Sequence, residues 1–365
     1  MVQFFIGDFL TGRRIQRVPA LSGSWSEVLN GAGAVSCTVT LRDPEVAALD
    51  LPNTATEGKA YLAAVEGDLV LQAGPIWAHE YDDDSMHLTL QAAGAWSYFD
   101  HRELLPVTDD PASVETNVVS SLQGIARAWV EQSMTWPNGD VPIILPDEIP
   151  GTNERNEPGA NLAWIGTRLA QLTEVEGGPD IQFQPRFQSD RLGIEWVMRI
   201  GTPDDPFLHS EQEVSFDVSA PQSSVSGLKV KTSGLGIASR AYAAGGRSAD
   251  TVLIAHSDNA GLLEQGFPAL TVVDASFSTV TEQATMQAHA DGLAQLAARR
   301  LVGMSFDHDL TQRPFIEAFN VGDFARVKFR NHPYMGSQVV RMRVTGRSGD
   351  AVGKRVRVDL QPEVD

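Results

Sequence analysis

The chain has 365 residues, with 28 basic and 47 acidic side chains, a formal net charge of −19, 42% apolar and 21% charged residues. At about 100–200 residues per domain, that length calls for two or three domains with ample core, and the composition is that of an ordinary soluble globular protein. No apolar run approaches the ~20 residues that span a bilayer; the start, Met1-Val2-Gln3-Phe4-Phe5-Ile6, lacks a signal-peptide pattern, and the single Cys37 excludes an internal disulfide framework and any multi-cysteine zinc site.

Residues 1–105 read as almost entirely strand. Phe4 to Phe9 and Arg13 to Val18 flank a turn at Thr11-Gly12. Ser22 to Leu29 and Val35 to Leu41 flank Asn30-Gly31-Ala32-Gly33, a strong hairpin signal because Asn and Gly tolerate positive φ. Gly31-Ala32-Gly33 leads into a strand and not a helix, so a dinucleotide-loop reading fails. Cys37, inside that strand, reads as a buried structural thiol. Tyr61 to Val65 and Leu69 to Gln72 turn at Glu66-Gly67-Asp68, and Ile76 to Tyr81 and His87 to Gln91 turn at Asp82-Asp83-Asp84-Ser85. Short strands at regular spacing predict a small barrel or sandwich.

A different texture begins near Leu105. Asp110 and Pro111 have the form of a cap and first residue for a helix carrying Val114, Val118, Leu122, Ile125 and Trp129 as one stripe. Pro137 to Pro158 reads as a long loop. A second helix is predicted from about Asn161 to Glu174, with Leu162, Ile165, Leu169 and Leu172 inward and Gly177-Gly178-Pro179 as its stop. Ile181 to Phe187 and Ile194 to Ile200 alternate as a hairpin, and Pro203 to Pro206 breaks the chain again. Val214 to Val218, Leu228 to Thr232 and Thr251 to His256 are short strand patterns. Thr279-Val280-Thr281-Glu282 is a capping box for a helix through Arg300, with Met286, Leu293 and Leu296 on one side.

The last stretch alternates apolar and charged residues through three runs, Phe324 to Arg330, Val340 to Val344 and Arg355 to Leu360. Turns are expected at Asn331-His332-Pro333 with Met335-Gly336, and at Gly346 to Asp350. Ala325, Val327, Phe329, Val340, Met342, Val344, Val356, Val358 and Leu360 point one way. Arg326, Lys328, Arg330, Arg341, Arg343, Arg355 and Arg357 point the other, forming a basic face on an acidic chain. Between Phe324 and Arg357 nine basic residues stand against one acid, Asp350. Such a face is a solvated surface, a nucleic-acid patch or a seat for an acidic protein surface, which a second copy of this chain would itself supply.

Catalytic sets do not rise above background. There is no Gly-x-Ser-x-Gly, no His-Glu-x-x-His and no phosphate-loop Gly-Lys-Ser/Thr. Asp82-Asp83-Asp84 with His79 and His87 has the density of a metal cluster but reads more simply as a solvated turn. In Asp307-His308-Asp309 neighbouring strand residues face opposite ways, which separates His308 from the two acids. Glu195 beside Trp196 and Glu317 beside Ile316 are the carboxylates in apolar settings that glycoside hydrolysis would use. Trp25, Trp77 and Trp96 fall in strand runs and read as core, with a sugar-stacking platform as the alternative. The expectation is no enzyme, no cofactor and no metal.

Several phrases, taken in order, resemble minor tail proteins of long-tailed actinobacterial phages and, through them, the baseplate (tail-tip) hub family. They are Thr11-Gly12 with Val18-Pro19, Ser24-Trp25-Ser26 with Leu29-Asn30-Gly31-Ala32-Gly33, Val39-Thr40-Leu41-Arg42-Asp43-Pro44, and Gly94-Ala95-Trp96-Ser97-Tyr98-Phe99 with His101-Arg102. Ile165 to Leu172 with Gly177-Gly178-Pro179-Asp180 follow, then Val321-Gly322-Asp323 before a strand. The resemblance implies a β-rich α+β chain with two small β-barrels flanking mixed α/β insertion modules. The divisions expected are 1–105 for the first barrel, 106–220 and 221–305 for the α/β modules, and 306–365 for the second barrel. It also implies a homotrimeric structural hub at the distal tail tip of the virion, made in the host cytoplasm, which adapts a sixfold tail tube to threefold parts and passes DNA without specific binding. Implied partners are the distal tail protein, the tape measure protein and other minor tail or fibre proteins, with no membrane span. The seven basic residues of the last meander are then candidates for the subunit interface. The rival expectation is a carbohydrate-binding or cell-wall-degrading tail-tip protein, marked by exposed aromatics and a carboxylate pair in a groove.

Overall fold

The computed structural model describes residues 1–175, 177–248, 251–277, 280–298 and 301–362. Among them, thirteen strands join in one branched sheet. Its path runs Val225–Ser233, Leu301–Asp309, Arg355–Pro362, Gly336–Asp350, Ser22–Val28, Ala34–Thr40, His87–Ala93, Leu69–Asp82, Ala60–Glu66, Gln3–Asp8 and Arg14–Val18. From Gly336–Asp350 a side branch adds Phe324–His332, on which Val214–Asp217 lies in parallel. The chain is thus β-rich, and among the described residues the longest helix has 15 residues.

The joint between the first and last parts of the sequence is the strand Gly336–Asp350. Its first half pairs with Phe324–His332, and its second half is shared by Arg355–Pro362 and Ser22–Val28. The turn expected at Gly346–Asp350 is therefore strand. The chain reverses at residues 351–354 instead, where Gly353 has φ +70° and the Asp350 carboxylate accepts from the Val352 and Gly353 amides. A bulge between Val344 and Gly346 inserts one residue and shifts the alternation by one. One continuous core lies beneath, combining Phe4, Ile6, Trp25, Leu62 and Leu90 with Phe216, Phe306, Val327, Val344 and Val358.

Ala60–Glu66 is apolar on both faces because it is covered twice. Leu62 and Ala64 join the core just described, whereas Tyr61, Ala63 and Val65 join a second core with Trp129, Ile165, Leu169 and Trp196. Trp196 is fully buried, makes edge contacts with Phe9 and Tyr61, and donates from Nε1 to the Ala73 carbonyl at 2.9 Å.

Residues 111–174 differ from the sequence expectation. Pro111–Ser113 is a single 3-10 turn, Glu115–Ser120 is a strand paired with Asn153–Pro158, and the helix runs Leu122–Met134. The β-branched Thr116, Val118 and Val119 favour the extended form. Ser121, not Asp110, is the cap, its Oγ accepting from the Gly124 amide at 3.0 Å. The expected loop at 137–158 holds that strand and a two-residue strand, Ile143–Ile144. The next helix begins at Ile165, because Leu162 adopts φ +46° and stays half exposed. Trp96 lies in a short helix, Trp96–Phe99, and not in a strand.

A small third core unites the sheet of Arg240–Ser248, Thr251–Asp258 and Thr271–Asp274 with the helix Gln283–Ala297. The expected capping residue Thr279 and the helix end at Arg300 lie outside the described residues. The buried stripe is Met286, Ala290, Ala294 and Ala297, while Leu296 is 47% exposed, so small residues let the helix lie close to the sheet. His289 stacks on Phe277 at 3.9 Å. Burial, helped by nearby Arg155 and opposed by Asp274, pushes its pKa down to about 4. The unfolded chain takes this proton first, so the unit should lose stability as pH falls from about 6.5 toward 4 and be level above. Hydrogen exchange in Arg240–Ser248, corrected for intrinsic rates, is expected to open roughly tenfold more readily at pH 5 than at pH 7. His289→Phe should abolish the difference; equal protection at both pH values would refute the linkage.

Candidate functional site: a braced cationic strand face

The alternation in the last meander is observed as expected for all but one apolar residue. Ala325, Val327, Phe329, Met342, Val344, Val356, Val358 and Leu360 are buried, and Val340 is half-buried. Register sets Arg326 directly opposite Arg341 and Phe324 opposite Arg343. Like charges face to face on adjacent strands repel, and Glu213 relieves this by bridging both guanidiniums, at 2.7 Å to Arg341 Nε. Those two hydrogen bonds hold the Glu213 carboxyl below the ordinary carboxylate range. Arg341 also lies over the Phe324 ring at 3.9 Å.

The remaining members are held differently. Arg330 donates to Asp217 at 2.8 Å. Arg343 pairs with Asp180 and donates to the Gly322 carbonyl at 3.0 Å. Arg357 donates to Ser305 at 2.7 Å and lies 3.5 Å from Asp359. Among the described residues, Lys328 and Arg355 make no ion pair. The structure thus brings Arg326, Lys328, Arg330 and Arg341 onto one patch beside Glu213 and Asp217. Arg355 and Arg357 stand across the sheet beside Asp307, Ser24 and Ser26, and Arg343 points into a joint.

That joint is the feature sequence reading missed. Asp180 Oδ1 accepts from Asn30 Nδ2 at 3.1 Å, its Oδ2 accepts from the Leu208 amide at 2.8 Å and pairs with Arg343, and Asn30 Oδ1 accepts from the Ile181 amide at 2.8 Å. The Asn-Gly turn, with Asn30 at φ +55°, thereby ties the Ser22–Val28/Ala34–Thr40 hairpin to the Ile181–Phe187/Ile194–Ile200 hairpin and, through Asp180, to the last meander. Arg347 and Glu27 were missed as well. The bulge turns Arg347 inward, where it pairs with Glu27 and donates to the Ile316 and Phe319 carbonyls, both partners being almost fully buried. A glycine inside an otherwise alternating strand, Gly346, is the signal that marks such a bulge.

The Gly322-Asp323 phrase has a local purpose. Buried Asp323 accepts from the Ser210 and Asn320 amides at 2.6 Å each, and Gly322 sits at φ +99°. A Cβ at Gly322 would lie 2.1 Å from the Leu208 carbonyl oxygen. Gly322→Ala is expected to cost about 1–3 kcal/mol in a urea titration; a loss under ~0.5 kcal/mol would show that the turn relaxes freely.

The other candidate residues do not converge. Asp82, Asp83 and Asp84 form an exposed hairpin tip, with Asp82 accepting from the Asp84 and Ser85 amides. His308 is buried with Nε2 2.7 Å from the Pro314 carbonyl, whereas Asp307 and Asp309 lie on the opposite face. Glu195 pairs with Arg186 at 2.8 Å, and Glu317 is exposed. Among the described residues, no group of three or more His, Cys, Asp or Glu is placed to hold a metal ion, and no helix is long and apolar enough to cross a membrane.

These features define a β-rich chain with three hydrophobic cores, tied across the sequence by internal ion pairs. No protein-family model and no curated protein matches it. Solved structures match over its whole length. A 43 kDa tail protein of prophage MuSo2 from Shewanella oneidensis aligns with a TM-score of 0.59 at 13% identity, covering 99% of this chain and 98% of that one. The tail protein from Neisseria meningitidis MC58 gives 0.57 at 12%, covering 99% and 96%. Prophage tail protein gp18 from Listeria monocytogenes EGD-e gives 0.52 at 10%, covering 100% and 95%. The fold is therefore one that prophage tail proteins share.

Proposed function

We propose that the chain is a structural, non-enzymatic tail protein of a virion. In this reading it is the trimeric hub at the distal tip of an actinobacterial phage tail, with modules 1–105, 106–220, 221–305 and 306–365. The observation that carries the reading is the end-to-end match to solved tail proteins, that of prophage MuSo2 among them. Residues 1–105 and 306–365 act as two small barrels, so that three copies present six to the tube above. The strands Val214–Asp217, Val225–Ser233 and Leu301–Asp309 extend the sheet of the last module. The hub contacts the distal tail protein, the tape measure protein and other minor tail or fibre proteins, and DNA passes through it.

In this ring Arg326, Lys328, Arg330, Arg341, Arg343, Arg355 and Arg357 serve the subunit interface. Those already paired, notably Arg343 with Asp180, act by setting the shape of the face, and Lys328 and Arg355 supply charge across the boundary. A head-to-tail contact closes only when the rotation is right, and complementary charge fixes that orientation. The channel is neutral to acidic, since a basic lining would retain DNA through counterion release.

Sedimentation of the purified chain at low salt, together with imaging of the intact virion, tests this. A trimer is expected, weakening as salt rises. The double variant Lys328→Glu/Arg355→Glu should weaken association about tenfold, or ~1.4 kcal/mol. A copy found off the threefold axis in the virion, or a pore lined by Arg326 and Arg341, would overturn the reading.

A further inference from the structure

The thirteen-strand sheet ends on one side in Val225–Ser233, whose outer edge has no backbone hydrogen-bond partner among the described residues. Two other edges of the chain are covered at least in part. At the far end of the same path the Arg14 amide donates to the Leu192 carbonyl at 2.9 Å. In the small sheet, Gln283 and Gln287 donate to the Ile254 and His256 carbonyls at 3.1 and 3.0 Å, which caps Thr251–Asp258. Unpaired strand edges are hazards that folds ordinarily cover, and one left open is a place where another strand can add.

The usable part of the edge is Lys229–Ser233. These residues keep regular antiparallel register with Leu301–Ser305, whereas a bulge between Ser226 and Lys229, with Gly227 at φ +63°, bends the strand before them. Their length is about 17 Å at ~3.4 Å per residue, enough for a short added strand. Val230 packs against the large core, and Lys229 and Lys231 stand exposed on the other face. Opposite the two lysines lie Ser305 and Gly303, and neither lysine makes an ion pair among the described residues. Asp307 lies beyond the bulge, across from Ser226, and Asp359, on the next strand, is 3.5 Å from Arg357.

Charge decides what kind of strand fits. In a chain with a net charge of −19, no acid occurs anywhere between Asp217 and Asp250, so the edge is locally cationic. Leu235, 99% exposed between Gly234 and Gly236, follows the strand as an uncovered apolar group. Lysines on an edge repel casual strand pairing, but the same two charges favour a strand that carries carboxylates at alternate positions. We propose that Lys229–Ser233 receives an extended acidic segment of a partner protein as an added strand. Its carboxylates face Lys229 and Lys231, and its apolar residues lie beside Val230 and cover Leu235. Main-chain hydrogen bonds supply the affinity and the alternation supplies the selectivity. None of the seven basic residues assigned to the subunit interface takes part, so this contact does not depend on the ring.

The test uses the full chain with three acetylated, amidated peptides as probes: Thr-Glu-Val-Glu-Val-Thr, the same sequence with every amide N-methylated, and Thr-Lys-Val-Lys-Val-Thr. Calorimetry is expected to give a Kd near ~1 mM for the first, weaker as salt rises, and no binding of the other two. Hydrogen exchange should slow on binding at Lys229–Ser233 and at no other strand. Lys229→Glu/Lys231→Glu should weaken binding at least ~tenfold, and Leu235→Ser about threefold, with the melting temperature unchanged because all three side chains are exposed. If the double variant fails to fold, Leu235→Ser and the exchange map decide. Equal binding of the N-methylated peptide, the mark of a polyanion held by charge alone, would overturn the proposal. So would protection at another edge, undiminished binding in the folded variants, or no binding at ~10 mM. Loss of the chain's own self-association in the double variant would also overturn it, by making a second copy the occupant.

Discussion

Glu27→Ala is expected to lower the unfolding free energy by about 3–5 kcal/mol, the largest loss predicted for any single side chain here. The residue sits opposite Arg347 across the joint between Ser22–Val28 and Gly336–Asp350, and both side chains are under 5% exposed. Removing the carboxylate strands a guanidinium in the core with only the Ile316 and Phe319 carbonyls for company. Arg347→Ala should cost a similar amount, because Glu27 is then the orphan. The double change Glu27→Leu/Arg347→Leu should recover much of the loss, since a well-packed apolar pair often does as well as a buried ion pair. Urea titrations of the three variants check this. Additive losses, with the double variant as poor as the sum of the singles, would show that the pair is not coupled.

The second large effect is expected at Asp180. Its carboxylate serves Asn30, the Leu208 amide and Arg343 at once, and both charged partners are nearly buried. Asp180→Ala should destabilise by about 3–4 kcal/mol, since it leaves a buried cation and an unpaired amide. Its signature differs from that of Glu27→Ala. Because Asp180 joins the Ile181–Phe187/Ile194–Ile200 hairpin to the Asn30 turn and to Arg343 of the large sheet, hydrogen exchange should rise first at Ile181–Phe187 and at the Asn30 turn, with Arg355–Pro362 changing less. Asp180→Asn separates the contributions: it keeps an acceptor for Leu208 while removing the charge, and should cost roughly half as much. Uniform loosening of the whole chain would mean that Asp180 is not a local tie.

The sequence was most legible where period two was clean. The apolar set from Ala325 to Leu360 and the hairpin at Asn30-Gly31 both follow from local pattern, because a half-buried strand writes its two faces into alternate residues. Reading failed where partners are distant. Val118 and Leu122 fit a helical stripe equally well, and only pairing with Asn153–Pro158 makes the first of them strand. Arg347 fell within an expected turn, whereas the strand continues through it and a one-residue bulge turns it inward. Glu213, Asp217 and Asp180 were anonymous among 47 acids, since nothing local announces which arginine each will meet. The basic face was visible from sequence; the acids of the same chain that brace it were not.

Because Ser22–Val28 is completed by Gly346–Asp350, ribosomal synthesis imposes a long wait on the amino-terminal half. Its strand emerges early, yet the partner that covers one edge and neutralises Glu27 arrives more than three hundred residues later. During that interval an open β-edge is available to other nascent chains, and truncated products keep it permanently. Premature termination anywhere before residue 350 should therefore yield insoluble fragments, whereas a cut in the exposed Asp82–Asp84 tip of finished molecules should be harmless.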